Sequence, residues 1–425
     1  MRVLWVCNLI LPCFCQEFQV NKTVFGGWMT GLLHELHLRK VCKVDLAFPI
    51  RDNSRKHDGT ANGCCYYAFS AAADSQSQDK AACQEMVNDF LRILALSKPD
   101  VIHIWGTEYP HAWALLQACL QMGISERIVC HIQGLVSFCK QHYAFGLPTS
   151  LLSERDGHGQ SLADAIHAFA IQSIREKEII EYSGFILGRT FWDESCVRQL
   201  YSKVRYRLCE ELLRESFYRT GEVWSLENCH KHTIFISQAS YPIKGFHFVL
   251  QALAILRREY PDLQVYVGGH DPMKPDPKGR HTPYGRYLIE IGSMFGVLSQ
   301  VHFLGLLSAE QMINAYLSAN VFVSASTIEN SPNSIAEAMF LGLPVVSSFV
   351  GGVPTLIRHG ETGLLYQTDA PYMLAAHVRA IFEDGALAER LSRQARLDMK
   401  ERHDPARVVQ QVMSIYREVC GETQE

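Results

Sequence analysis

No run of 18 apolar residues occurs in the 425-residue sequence, so no membrane-spanning helix is expected. Charge of neither sign prevails: 40 Lys and Arg stand against 44 Asp and Glu, a net charge of −4. Without a global basic field, nucleic acid is not expected as a partner. No Cys-x-x-Cys pair is present, although there are 14 cysteines. The close pairs, Cys13-x-Cys15 and Cys64-Cys65, have no His or Cys partner at zinc-ligand spacing. No metal site is therefore expected, and reduced thiols of a cytoplasmic protein are the plain reading. No Gly-x-Gly-x-x-Gly follows the first apolar run, which argues against a dinucleotide-dependent oxidoreductase. The run Met1–Cys7 is too short for a secretory leader, is soon interrupted by Asn8 and Pro12, and lacks a small-residue cleavage site. It reads as a first buried strand.

What is present is a globular balance of 48% apolar and 20% charged residues in a chain long enough for two domains. Short apolar runs alternate with helical spacing from end to end. Strands are expected at Arg2–Leu9, Val44–Pro49, Tyr66–Ala71, Val101–Trp105, Arg127–Ile132 and Phe185–Leu187, and again at Thr233–Ser237, Leu263–Val267, Val301–Leu304, Val321–Ala325, Val345–Ser347 and Thr362–Tyr366. Residues 51–63 and 270–285 read as loops, and 74–80 as a polar linker. The repeated strand–helix order predicts an α/β fold of two Rossmann-like parallel-sheet domains. The boundary falls near residue 225, giving domains 1–225 and 226–403, with a last helix in 404–425 packing back on the first. Residues 193–219 read as one helix with a slight basic excess from Arg198 onward. That is either a solvated face or a surface for an anionic, lipid-linked acceptor at the inner membrane face.

The most informative stretch runs from Glu329 to Glu337. It lies between the strand Val321–Ala325 and a helix that Gly342 and Pro344 bring to a stop. Ser331 suits an N-cap and Pro332 the first helical position. A strand that feeds a loop and then a helix N-terminus is where open α/β sheets bind anions. Two carboxylates flank this anion site, and carboxylates accept hydrogen bonds from sugar hydroxyls rather than binding phosphate. Elsewhere, Gly26-Gly27 at a helix entry permits close backbone approach to a ligand. His131, near the end of a strand and before Gly134, either faces a site or is a core histidine. Gln133 is the alternative at the same strand end.

Three features together resemble a GT-B-fold glycosyltransferase of the family-4 type. They are Glu329-x7-Glu337, the run from Glu337 to Val346 with Gly342 and Pro344, and Gly351-Gly352-Val353-Pro354 with Gly360-x2-Gly363-Leu364-Leu365. Lys244-Gly245 and Phe303-x-Gly305 extend the resemblance, which covers residues 230–410 well and the first half loosely. It implies retaining transfer of a sugar from a nucleoside diphosphate sugar to a hydroxyl acceptor, a glycan or a lipid-linked one, with no cofactor and no essential metal. By position, Glu329 would hold sugar hydroxyls, Glu337 the ribose and Lys244 the diphosphate. Backbone groups at Asn333, Ser334 and Ile335 would meet the sugar or diphosphate, with Gly305 nearby. Gly26-Gly27 and His131 would approach across an interdomain cleft. The family often has an arginine five or six residues before the lysine, where this chain has Ala239 and Gln238. Arg189 is the candidate replacement, with a structural salt bridge as its alternative. A nucleotide-sugar epimerase and a non-catalytic binding protein on the same plan remain open.

Overall fold

The computed structural model describes residues 1–20, 26–50, 58–71 and 80–422. The expected loop at 51–63 and linker at 74–80 lie outside the described residues over 51–57 and 74–79. Two compact units emerge. One is formed by Met1–Phe138, Ala168–Arg214 and His403–Glu425, the other by Cys139–His167 and Glu215–Arg402.

The first unit is built on an eight-stranded sheet. Its strands are β1 (Arg2–Val6), β2 (Lys43–Ile50), β3 (Gly59–Ala61), β4 (Cys64–Ser70), β5 (Val101–Trp105), β6 (Ile128–His131), β7 (Phe185–Gly188) and β8 (Tyr206–Leu208). The order is β3-β4-β2-β1-β5-β6-β7-β8. Every pairing is parallel except β3 with β4. Strand β1 sits at the centre, with Val3 beside Val44 on one flank and Val101 on the other. Its residues Val3 to Val6 are fully buried, as the unbroken apolar run requires of a parallel strand covered on both faces.

The last helix, Pro405–Val419, starts from the cap Asp404, which accepts from the Arg407 N–H. It belongs to the first unit, and its Tyr416 is fully buried there. The Tyr416 hydroxyl accepts from Trp5 Nε1 at 3.0 Å and lies 2.6 Å from His103 Nδ1. Burial pushes the His103 pKa down to about 3, so the ring is neutral and shares one hydrogen bond with the hydroxyl, its direction set by the ring's tautomer.

The second unit has six parallel strands: β9 (Thr233–Ile236), β10 (Gln264–Gly268), β11 (Val301–Gly305), β12 (Val321–Ser324), β13 (Val345–Ser348) and β14 (Leu364–Tyr366). Their order, β11-β10-β9-β12-β13-β14, reverses direction between β9 and β12. Ligands of open α/β sheets bind outside the carboxyl ends of the strands at such a switch point.

Two expectations are corrected. The continuous helix at 193–219 does not form: Phe191–Leu200 is helical, β8 follows, and a short helix, Glu215–Arg219, comes after a break. Val204 and Tyr206 are buried while Lys203 and Arg205 are exposed, a period of two that suits a strand, and β8 pairs with β7. The cations are also dispersed. Arg198 pairs with Glu194, Arg207 with Glu418 and Arg219 with Glu215, while Arg205 lies 4.3 Å from the Phe185 ring centre. No single basic helix offers itself to a membrane there. Among the described residues no helix is long and apolar enough to cross one.

The second correction concerns Cys139–His167, which the single boundary near 225 leaves in the first domain. The segment clusters with the second unit. Thr327 Oγ1 donates to the His142 carbonyl at 2.8 Å, His247 Nε2 lies 3.1 Å from the Phe145 carbonyl, and Arg286 pairs with Glu154 at 2.5 Å. These are polar contacts between distant positions, and no periodicity announces them.

Candidate active site

After β12 the chain runs through a loop to the helix Asn333–Leu341. Pro332 is the N-cap, at φ −71° and ψ 118°, with no side-chain cap. The helix thus starts one residue later than the expected Ser331 cap, because Pro332 takes the extended ψ of a capping position. Among the described residues the Asn333 and Ser334 N–H groups have no acceptor, so the uncapped end points two donors outward. The Ile335 N–H differs from the expectation: it already donates to the Pro332 carbonyl at 3.1 Å. Gly342, at φ 89°, closes the helix as expected.

Lys244 arrives from β9, the neighbouring strand at the switch point. It ends a turn, Pro242–Lys244, and Gly245 then caps the helix Phe246–Leu256. Gly245 is at φ +65°, and a Cβ there would stand 1.9 Å from the Ala325 carbonyl oxygen. The loops after β9 and β12 therefore touch backbone to backbone, which only glycine allows.

That contact brings the two charges together. Lys244 Nζ donates to Glu329 Oε1 at 2.5 Å, and Ser326 Oγ donates to the same oxygen at 2.8 Å. Their side chains keep 19% and 16% exposure, so the pair is sheltered yet reachable. Lys244 Nζ also lies 5.7 Å from the Tyr241 ring centre. Burial alone would lower the Lys244 pKa. The Glu329 carboxylate and Tyr241 outweigh it, so the pKa is raised and the ammonium stays charged.

Gly351 and Gly352 hold the other side of Glu329. The Gly352 N–H donates to the Glu329 carbonyl at 2.9 Å. Gly351 is at φ +48°, and a Cβ there would meet that same carbonyl oxygen at 2.0 Å. Gly351→Ala is expected to cost about 2–4 kcal/mol, read from the urea midpoint at unchanged slope. Gly360→Ala is the control: φ is +77° but nothing lies within 4 Å of its added Cβ. It should cost only the left-handed penalty, about 1–2 kcal/mol. Equal losses in the two variants would remove the steric account of Gly351.

Glu337 lies a turn inside the helix at 4% exposure, with Oε2 3.4 Å from the Tyr316 hydroxyl. That hydroxyl is also 3.0 Å from the Ser334 carbonyl. Gly305 ends β11 at φ +74°, and its carbonyl accepts from the Gly269 N–H at 2.8 Å. Both sit in the second unit with Lys244 and Glu329.

The remaining candidates belong to the first unit. Gly26, at φ 74°, caps the helix Gly27–Arg39 without a side-chain bond. A Cβ on Gly27 would stand 2.9 Å from Arg214 Cγ. His131 ends β6 but is only 1% exposed, enclosed against Trp105 at a 5.1 Å ring separation. Burial, then His103 and Arg189, lower its pKa well below the ordinary value, so it is neutral. Its surroundings are those of a core histidine. Arg189 is 3% exposed and donates to Glu211 Oε2 at 2.6 Å. The salt-bridge alternative is thus the one the geometry supports, and Arg189 is corrected as a source of exposed charge. Gln133 donates to the same carboxylate at 2.5 Å.

Sequence reading missed Ser326, Tyr241 and Glu211. Ser326-Thr327, a polar pair at the end of an apolar strand, is the signal that could have exposed the first. Tyr241 and Glu211 carry no such mark. Among the described residues no group of three or more His, Cys, Asp or Glu side chains is placed to hold a metal ion.

The chain is similar to known glycosyltransferases. Residues 225–398 match the family model "Glycosyl transferases group 1". A glycosyltransferase of Methanocaldococcus jannaschii, its own activity uncharacterized, is 23% identical over 341 residues, 77% of each chain. A D-inositol 3-phosphate glycosyltransferase of Streptomyces avermitilis is 31% identical over 159 residues, 36% of this chain and a third (33%) of that one. The structure superimposes on a sucrose-phosphate synthase from Thermosynechococcus elongatus with a TM-score of 0.75 over 100% of both chains at 18% identity. HepE of Anabaena, solved with UDP and glucose, gives a TM-score of 0.64 over 98% of this chain and 100% of that one at 15% identity. A lysine and a glutamate brought together at the switch point and the uncapped helix beside them lie in the stretch that matches glycosyl transferases group 1, residues 225–398, and the two parallel-sheet units have the GT-B fold of the solved neighbours.

Proposed function

We propose that the second unit binds a nucleoside diphosphate sugar at the β9–β12 switch point and passes the sugar, with retention, to a hydroxyl acceptor on a glycan or lipid-linked substrate. The observation that carries the reading is the Lys244–Glu329 pair beside two outward N–H groups of a helix start. The Asn333 and Ser334 N–H groups and the helix dipole suit a diphosphate. A phosphate oxygen would compete with Glu329 for the Lys244 ammonium, and the carboxylate so released would accept sugar hydroxyls. Ser326 would keep it aimed. Glu337 would hold the ribose.

In the reaction, the bond from the anomeric carbon to the diphosphate oxygen breaks, and a bond from the acceptor oxygen forms on the same face. The acceptor's proton passes to the departing phosphate. Lys244 and the helix start stabilise the negative charge that develops on it.

UDP is the first nucleotide to test, since HepE was solved with UDP and with UDP-glucose. UDP at about a hundred times its dissociation constant should stabilise the fold by about 2.7 kcal/mol and raise its melting temperature. GDP- and ADP-sugars are the comparators. No shift with any of the three nucleotides would sink the reading.

A further inference from the structure

We infer that the cleft at the carboxyl ends of β13 and β14 is the subsite for a sugar ring of the acceptor, a neutral hexopyranoside. The inference rests on the donor reading of the Lys244–Glu329 site and extends it to the second substrate. The cleft holds about 410 Å3 and is lined by Phe145, Phe349, Gln367, Thr368 and Asp369 among others. That volume suits a small ligand, and an apolar wall with a few polar groups is the usual composition of such a site.

The lining is held in place by the fold. The Phe349 N–H donates to the Tyr366 carbonyl at 2.7 Å, so β13 and β14 end side by side and release Phe349 outward. Phe349 is 62% exposed and Phe145 40%. Phe145 is fixed from behind. Burial lowers the His247 pKa to about 4, so that ring is neutral, and its Nε2 meets the Phe145 carbonyl at 3.1 Å. Two exposed aromatic rings at one cleft mark a binding surface. The negative face of such a ring suits the C–H face of a pyranose, and only the flanking polar groups distinguish one sugar from another. Here these are the Thr368 hydroxyl, the Gln367 amide and the Asp369 carboxylate. Gln367 donates to Asp369 Oδ1 at 2.7 Å and orients it.

Position and charge separate this cleft from the donor site. Gly351, two residues beyond Phe349, packs against the Glu329 carbonyl. The cleft therefore adjoins the place where the donor sugar would stand. Asp369 repels a diphosphate, so the cleft is no extension of the anion site at Asn333 and Ser334. A neutral polyol next to the transferring sugar is the acceptor.

Saturation-transfer NMR on the full chain tests this, with methyl α-glycosides of glucose, galactose, mannose and N-acetylglucosamine as probes and UDP as reference. At least one glycoside should receive saturation from the wild-type protein. Phe349→Ala, at an exposed position that does not threaten folding, should weaken that glycoside at least tenfold. Phe349→Tyr should retain it, Asp369→Asn should weaken it, and all three should leave the UDP melting shift unchanged. No transfer to any of the four glycosides, or unchanged binding in Phe349→Ala, would overturn the inference while an intact UDP shift leaves the donor reading standing. Equal loss of UDP and glycoside in Phe349→Ala would assign the cleft to the nucleotide and overturn it too.

Discussion

Lys244→Ala is expected to lower sugar transfer by roughly 10²–10³-fold, the scale lost when one pre-placed charge or donor is removed from a developing anion. The loss should fall on kcat rather than on KM for the donor, because the charge it meets grows as the diphosphate departs. Two features sharpen the expectation. Lys244 is held charged by Glu329 and Tyr241, so it needs no proton at the moment of reaction. Its removal also leaves the Glu329 carboxylate, formerly neutralised at 2.5 Å, facing the incoming phosphates. Glu329→Ala should be the milder change for the diphosphate and the harsher one for the sugar: UDP would still raise the melting temperature, whereas the sugar moiety would add no affinity. Both positions keep partial exposure, so both variants should fold. Steady-state kinetics with a donor accepted by the wild-type protein decide it. Near-normal turnover in both variants would show that transfer does not use this pair.

The readable half of the molecule was the half whose residues act through local chemistry. Gly342 stops its helix with a left-handed φ, and Asp404 caps the last helix, each for reasons contained in a few neighbouring residues. The resemblance already joins Lys244, Glu329 and the Gly351-Gly352 turn in one site, and the structure supplies the contacts that hold them together. Two glycines let three loops touch where any Cβ would collide with a carbonyl oxygen. What the sequence hid was decided at long range. Arg189 could have served a ligand or a carboxylate, and only the arrival of Glu211, 22 residues later, shows which. His131 looked placed for a site by its strand end, yet Trp105 and His103 stack over it from the neighbouring strand. The basic run from Arg198 to Arg219 suggests a helical period, but the burial of Val204 and Tyr206 follows the edge of a sheet.

Both sheets place their glycine turns by one rule. In the second unit, the strands at the reversal of order, β9 and β12, deliver Lys244 and Glu329 from their carboxyl ends. In the first unit the order reverses between β1 and β5, and Gly26-Gly27 follows β1. A parallel strand buried on both faces can spare no side chain for chemistry, so function moves to the loops at its carboxyl end.

Glu211→Ala should destabilise the first unit by about 3–5 kcal/mol, because it strips a buried guanidinium of the carboxylate it faces. Arg189 Nη1 meets Glu211 at 2.6 Å with side-chain exposures of 4% and 1%. Gln133 loses its acceptor in the same step. The His403 ring would keep its contact, since its Nδ1 meets the Glu211 backbone carbonyl at 2.6 Å and not the side chain. The double variant Arg189→Met with Glu211→Leu should recover much of the loss, because two buried charges brought from water cost about as much as their attraction returns. Urea unfolding followed by tryptophan fluorescence suits the test. Trp5, Trp28, Trp105, Trp113 and Trp192 lie in the first unit, and Trp224 alone in the second. A two-unit chain need not unfold in one step, so the first-unit transition is the one to read. A Glu211→Ala midpoint within about 1 kcal/mol of the wild type would mean that water or another group already satisfies Arg189.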